Sequence, residues 1–355
     1  MTARPRLQSL IFEVTQRCNH ACLHCYNVWQ GENPATDPPY PRGEMETSRT
    51  RELLARALDQ IDCSHVTLTG GEPLLRPDLP ELVAFLWRRG VRTTVISNGR
   101  LLDAAHIRAL LEAGVDLFEL PLLASRRELH DRLSGAAGAW DAVLNAMAEL
   151  RLQQGQVVAA FVATRLNVDE LDETLRLAFA FGARAVMLNR FNPGGRGRGA
   201  LEALLPGLDQ LRRALAAAEA VSVELGLPVA CSIPLQPCLI DMALYPHLGF
   251  GFCAAGTERA YYALDPLGNL RPCNHSQLVL GNLFAEPFAD LVAPERLEGF
   301  VRALPPFCTA CARRAECQGG CKAAADACYG SLTAEEPFLH ANREQALIPA
   351  QVPLA

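Results

Sequence analysis

Three cysteines spaced Cys18-x3-Cys22-x2-Cys25 follow a short apolar run, Ser9 to Val14, and Tyr26 comes directly after them. Thiolates are soft ligands, and three on one loop can hold three irons of a cubane 4Fe–4S cluster. The fourth iron then lacks a protein ligand. An open iron can bind and reduce a small molecule, whereas a cluster held by four cysteines mainly carries electrons. The same triad could instead hold zinc, with His20 or His24 as the fourth ligand.

A second group lies about fifty residues downstream, where Gly70-Gly71-Glu72-Pro73 follows the apolar run Val66 to Leu68. Two glycines let the backbone turn tightly and approach a ligand closely, Glu72 offers a carboxylate, and Pro73 stiffens the exit. Ser97-Asn98-Gly99 ends a third apolar run and reads equally as a helix-capping loop or as a pair of side-chain hydrogen-bonding groups. A second cysteine system occupies the last third: Cys253, Gly268 and Cys273, then Cys308-x2-Cys311-x5-Cys317-x3-Cys321, and finally Cys328. A zinc ribbon could use Cys308 and Cys311 with another pair, but three neighbouring cysteines would be left over. Cys63 and Cys231 read as buried, apolar-like thiols.

The elements that must position these groups alternate. Candidate strands are Ser9–Val14, His65–Thr69, Arg92–Ser97, Leu117–Leu122, Val157–Val162 and Ala185–Asn189. Helical stretches lie between them: Arg49–Ile61, Asp78–Arg89, Asp103–Glu112, Trp140–Gln153 and Val168–Phe181, with Thr47, Asp78 and Asp103 as candidate N-caps. Strict alternation predicts an α/β chain with a parallel sheet and crossover helices. Ligands of parallel barrels gather at the C-terminal strand ends, where the cysteine loop, Gly70–Pro73 and Ser97–Gly99 all fall. Tyr261–Leu264 and Asn269–Arg271 read as a hairpin around Asp265–Gly268.

These motifs resemble the radical S-adenosylmethionine (SAM) superfamily, and the later cysteines resemble its SPASM extension. The resemblance covers approximately residues 9–200 and 250–330. It implies a partial (β/α)6 TIM-like barrel over 8–200, a helical linker over 201–245, and a small cysteine-rich iron–sulfur domain over 246–345. SAM would chelate the open iron held by Cys18, Cys22 and Cys25, with Tyr26, Gly70, Gly71, Glu72, Pro73, Ser97 and Asn98 around it. Two auxiliary 4Fe–4S clusters are implied. Cys253, Cys273 and Cys321 would hold the one nearer the barrel, and Cys308, Cys311, Cys317 and Cys328 the outer one. The nearer site lacks a fourth cysteine at the family's usual place, which is His247 here. Cys238, His247 or an open iron remain, with Cys238 favoured. A departure concerns the SAM carboxylate: the family's serine, Asp-Gly and arginine positions align with Leu122, Ala124-Ser125 and Ser134, and Ser125, Arg126 or Arg165 would have to substitute.

The implied chemistry is reductive SAM cleavage to a 5′-deoxyadenosyl radical that abstracts a substrate hydrogen atom, with auxiliary clusters accepting the second electron. The substrate is expected to be a ribosomally made peptide, crosslinked or oxidised at a side chain. The alternatives are a small metabolite or tetrapyrrole and, from another class, a non-catalytic iron–sulfur electron carrier. An electron donor such as flavodoxin or ferredoxin is implied. Only seventeen residues precede Cys18, so a separate leader-peptide-binding protein is expected for a peptide substrate. Glu119, Asp131, Tyr261, Asp265 and His275 are the polar acid–base candidates, each equally readable as structural.

Composition narrows the setting. At 355 residues the chain can hold two domains, and its net charge of −6 argues against nucleic acid or anionic membrane as partner. Arg190, Arg196 and Arg198 could still form a local basic patch. Thirteen cysteines without a secretory signal or a bilayer-length apolar run point to metal ligation in a reducing cytoplasm.

Overall fold

The six apolar runs of the first half become parallel strands in a computed structural model that describes residues 4–31 and 40–346. They are β1 (Leu10–Thr15), β2 (His65–Gly70), β3 (Arg92–Ile96), β4 (Leu117–Pro121), β5 (Val157–Ala163) and β6 (Ala185–Arg190). Each pairs in parallel with its successor. Parallel neighbours need a long crossover, which helices supply here. These are α1 (Thr47–Gln60), α2 (Leu79–Arg88), α3 (Ala104–Ala113), α4 (Arg127–Ser134) followed by α5 (Ala139–Leu152), and α6 (Leu171–Ala180). The result is the partial TIM-like barrel. Leu10, Phe12, Val14, Val66, Leu68 and Val95 are wholly buried, and Leu10, Phe12 and Val14, like Val66 and Leu68, share one strand face turned to the core.

The caps differ in detail from expectation. Asp103 caps α3, accepting from the amides of Ala105 and His106 at 3.0 and 2.9 Å. Asp78 precedes α2, but its carboxylate is engaged by Arg76 at 2.5 Å rather than by helix amides. Thr47 is the first residue of α1, and Glu46 stands at its N-cap.

The sheet continues at both edges. Beyond β6 come β7 (Val229–Cys231) and β8 (Leu248–Phe250), both parallel, so residues 201–245 contribute a strand to the barrel sheet besides the helix Leu208–Leu225. At the other edge β9 (Ala263–Leu264) pairs in parallel with β1, β10 (Asn269–Arg271) pairs antiparallel with β9, and β11 (Gly281–Asn282) antiparallel with β10. The expected hairpin therefore extends the barrel sheet instead of forming a sheet of its own. A buried ion pair locks the join: Arg271 on β10 meets Glu13 on β1, the two side chains being 0% and 1% exposed. Arg271 also donates to the Ser276 and Asn274 carbonyls at 2.9 and 3.2 Å. Tyr40 stacks against its guanidinium and donates to Asp265 at 3.0 Å. Among the described residues no helix is long and apolar enough to cross a membrane.

Candidate SAM and iron–sulfur sites

The cysteine loop leaves β1 at the C-terminal rim, and the Gly-Gly turn after β2 hooks onto its backbone. Gly71 and Glu72 donate their amides to the Thr15 and Arg17 carbonyls, each at 2.8 Å. A Cβ on Gly70 would sit 2.2 Å from the Thr15 oxygen, and one on Gly71 1.9 Å from the Arg17 oxygen. Glycine is thus required by close backbone approach, with a φ of 129° at Gly70 adding conformational demand. Gly71→Ala is expected to displace the loop, lower stability by about 1–3 kcal/mol and sharply reduce iron incorporation. Thermal melts with an iron assay check this; wild-type loading would contradict it.

Glu72 and Ser97 face each other rather than the rim. The wholly buried Glu72 carboxylate accepts from the Leu74 amide at 3.1 Å, the Ser97 hydroxyl at 2.8 Å and the Asn98 amide at 2.7 Å. Burial raises its pKa to about 7 despite those bonds. The expected carboxylate and hydroxyl contacts to SAM are therefore already engaged within the protein. These two side chains tie the β2 turn to the β3 turn. Asn98 remains on the rim, donating to Asn19 of the cysteine loop at 2.7 Å.

Tyr26 is also placed differently. Its ring stacks on His275 at 4.0 Å, and its hydroxyl accepts from Asn274 at 2.9 Å. It bridges the cysteine loop to the extension. His24, two residues earlier, is half-buried, and its Nδ1 is inaccessible and lacks any protein partner, as does Nε2 of His20. Both imidazoles are depressed to about 4, first by burial and then by cationic neighbours, Arg100 and His130 for His20 and His130 for His24.

The donor chemistry fits a cluster. Burial and mutual repulsion with Cys25 and Cys18 push the Cys22 thiol up to about 12, so crowded thiolates there need a cationic partner; iron supplies one, since a coordinating thiol is deprotonated outright. Arg196 opposes the rise at both Cys22 and Cys25. Thiols that each hold a different cubane corner need not converge on one point, and among the described residues no three His, Cys, Asp or Glu side chains form a single-ion site.

The glycine–arginine segment after β6 is a built wall, not a flexible connector. The Gly197 amide donates to the Cys25 carbonyl at 2.9 Å, and a Cβ on Gly195 would lie 2.3 Å from the Asn27 oxygen. Its arginines form no surface patch: Arg190 is 2% exposed and pairs with Glu336, while Arg196 and Arg198 donate to Gln30 and the Ala327 carbonyl. The three candidates for the SAM carboxylate are engaged elsewhere as well. Ser125 donates to Glu170 and Glu173 at 3.0 Å each, Arg126 to Glu170 at 2.6 Å, and Arg165 to the Leu205 carbonyl at 3.0 Å. Asp131 caps α5 through the Gly138 and Trp140 amides, at 2.7 and 2.9 Å.

In the extension, burial raises the pKa of the Tyr261 hydroxyl, and Cys273, Cys253 and Cys321 all add to the rise as neighbouring charges. The amide of Asn192 donates to Cys321 at 3.2 Å and approaches His275 at 3.1 Å, a role nothing in the local sequence announces. Cys238, favoured above as the fourth ligand of this group, is not placed with it. It shares a cavity with Cys308, Cys311 and Cys317. Cys328, expected in that outer group, has Arg198, Glu336 and Cys321 as its charged neighbours. His247 is 60% exposed and hydrogen-bonds Glu219 at 2.5 Å. Cys231 is buried on β7, and Cys63 donates to the His65 carbonyl at 3.0 Å.

Glu119, in the middle of β4, is raised to about 7 by burial alone. Its folded value exceeds the unfolded one, so the stability from its proton is complete below about pH 4.5 and lost as pH rises through 7. Glu119→Gln is expected to stabilise at pH 8 by up to about 3 kcal/mol and change little near pH 4. Anaerobic thermal melts at both pH values test this; equal effects at both would exclude it.

A family model described as the Radical SAM superfamily matches residues 12–178. Over 365 residues the chain is 27% identical to a PqqA peptide cyclase of Gluconobacter oxydans, covering 98% of this chain and 96% of that protein. It is 26% identical over 355 residues to an AdoMet-dependent heme synthase of Methanosarcina barkeri, covering 95% and 97%. Among solved structures, anSMEcpe with bound AdoMet superposes with a TM-score of 0.72 at 16% identity over 96% of both chains. Streptococcus suis SuiB bound to precursor peptide SuiA gives 0.67 at 15%, over 94% of this chain and 74% of that one.

Proposed function

We propose that the chain, which the Radical SAM superfamily's model matches over residues 12–178, is a radical SAM enzyme that modifies a ribosomally made peptide by crosslinking or side-chain oxidation. When bound, the reduced cluster would supply one electron to the sulfonium of SAM, the chemistry that releases methionine and provides a 5′-deoxyadenosyl radical for hydrogen abstraction. Cys18, Cys22 and Cys25 would hold that cluster. Gly70 and Gly71 keep the SAM-side backbone against the cysteine loop, with Glu72 and Ser97 positioning it from behind.

The observation that carries the reading is the bridge at Tyr26. Its stacking on His275 and its bond to Asn274, the residues that follow Cys273, support a reading in which the SAM loop lies beside the Cys253, Cys273 and Cys321 group. A substrate held at this rim lies between two iron–sulfur sites, as an oxidative closure that must discard a second electron requires. The peptide class is supported by the relative named a PqqA peptide cyclase and by neighbours solved with peptides bound. A flavodoxin or ferredoxin would deliver the first electron, and a separate protein would present the leader.

Anaerobic incubation with SAM, reductant and a deuterated precursor peptide tests the proposal. Deuterium should appear in 5′-deoxyadenosine and the peptide should lose hydrogen. Release of methionine with no peptide change would favour the second reading, tailoring of a tetrapyrrole or small metabolite, which the relative named a heme synthase supports. No SAM cleavage at all would leave only an electron carrier.

A further inference from the structure

The outer cysteine group is assembled from one compact segment and one distant loop. Cys308 ends a short 3-10 turn, the Cys311 amide bonds back to its carbonyl at 3.1 Å, and Cys317 closes the helix Arg314–Cys317. Three thiols are thereby set by local backbone. The fourth side of their cavity, which encloses about 360 Å³ of atom-free space partly open to solvent, is formed by Gln236, Pro237 and Cys238.

That loop is held from several directions. Gln236 donates to Glu336, which also pairs with Arg190 and accepts from the Phe338 amide at 3.0 Å; Gln236, Glu336 and Arg190 are all nearly inaccessible. The Leu239 and Ile240 amides turn back to the Gln236 carbonyl at 2.9 and 3.0 Å, and Arg212 donates to the Leu239 carbonyl at 2.9 Å. Gly320, just past Cys317, is tied to the same network: a Cβ there would lie 2.2 Å from the Gln236 amide nitrogen. The loop carrying Cys238 and the strand of chain carrying Cys317 are fitted to each other.

Cys328 is not among the residues that line this cavity. Cys321 precedes the helix Lys322–Tyr329, and Cys328 lies near its far end, about 10 Å along the axis at 1.5 Å per residue. There the Ala327 carbonyl is bonded by Arg198, from the wall of the barrel rim.

The geometry points to Cys238, not Cys328, as the fourth ligand of the outer iron–sulfur cluster, with Cys308, Cys311 and Cys317 as the other three. This rests on reading the extension's thiols as cluster ligands. The set is four thiols around one cavity, a complete cysteinyl shell that leaves no iron open and suits electron transfer. It also frees the nearer group from a claim on Cys238, leaving Cys253, Cys273 and Cys321 as a three-thiol set.

The test uses full-length protein carrying Cys18→Ala, Cys22→Ala and Cys25→Ala, so that only the extension loads iron. Iron, sulfide and zinc are counted after anaerobic reconstitution, and the reduced protein is examined by electron paramagnetic resonance. Adding Cys238→Ala should remove about four irons per chain or convert one signal to a three-iron type. Cys238→Ser, which keeps an oxygen donor and the loop, should retain iron with shifted g values. Cys328→Ala should leave count and spectrum unchanged. Iron loss from Cys328→Ala as large as from Cys238→Ala overturns the assignment, as does an unaltered spectrum in both Cys238 variants. Zinc, or no metal, in the parent would instead remove the cluster reading beneath it.

Discussion

Cys22→Ala is expected to abolish SAM cleavage, with methionine and 5′-deoxyadenosine falling to the level of a protein-free control. The loop holds only three thiols, and each would anchor one iron, so a cubane cannot lose one and still present a single open corner. Cys18→Ala and Cys25→Ala should behave alike. Cys308→Ala should act differently: it leaves the SAM loop and its Gly70-Gly71 clamp untouched, so cleavage persists but uncoupled, and modified product disappears. Nucleoside and product are quantified from the same anaerobic reaction. Undiminished cleavage by Cys22→Ala with unchanged metal content would refute the assignment of the SAM cluster. Product formation by Cys308→Ala would refute a required role for the outer site.

The second large effect is predicted at Arg271. Its removal leaves Glu13, 1% exposed, without its charge partner deep between β1 and β10. Breaking a buried pair from one side costs about 3–5 kcal/mol. Burial already raises Glu13 to about 7, against the lowering pull of Arg271. Without that pull the folded value rises further above the unfolded one. The folded state then binds the proton more tightly, so stability is retained below about pH 4.5 and falls as pH rises past 7. Arg271→Met should therefore lose most stability at pH 8 and much less at pH 5, read by anaerobic denaturant titration. Glu13→Gln combined with Arg271→Met should recover a large part, since neither charge remains. Because Cys273 follows Arg271 by two residues, the single variant should also load less iron in the extension. A loss under about 1 kcal/mol at pH 8, or one indifferent to pH, would show that the pair does not lock the hairpin to the barrel.

Much of the barrel was legible along the chain. Each of the six expected strands lies within a residue or so of its observed bounds, because short β-branched and apolar runs with a buried face stand out between helix-patterned segments. The Gly-Gly pair was legible too, its backbone meeting Thr15 and Arg17 as tightly as a glycine requirement implies. The side-chain partners of Glu72, Ser97 and Tyr26 were not. A motif names a residue but not the direction of its side chain, and here the first two bond each other while the third turns to Asn274 and His275. Asn192 went unread, and Arg196 was read only as part of a basic patch, for a similar reason: their partners lie in other segments, and no spacing marks them.

By itself, the order of residues determined the thiol-rich loop, the strand–helix alternation that lifts it to the rim, and the compact run Cys308–Cys317, because these depend on neighbours a few positions apart. Only the tertiary structure decided which distant side chains complete each group: Glu13 with Arg271, Tyr26 with His275, and Cys238 beside Cys308. Such pairings follow from loop closure and packing across the whole sheet, where separation along the chain says little about distance in space.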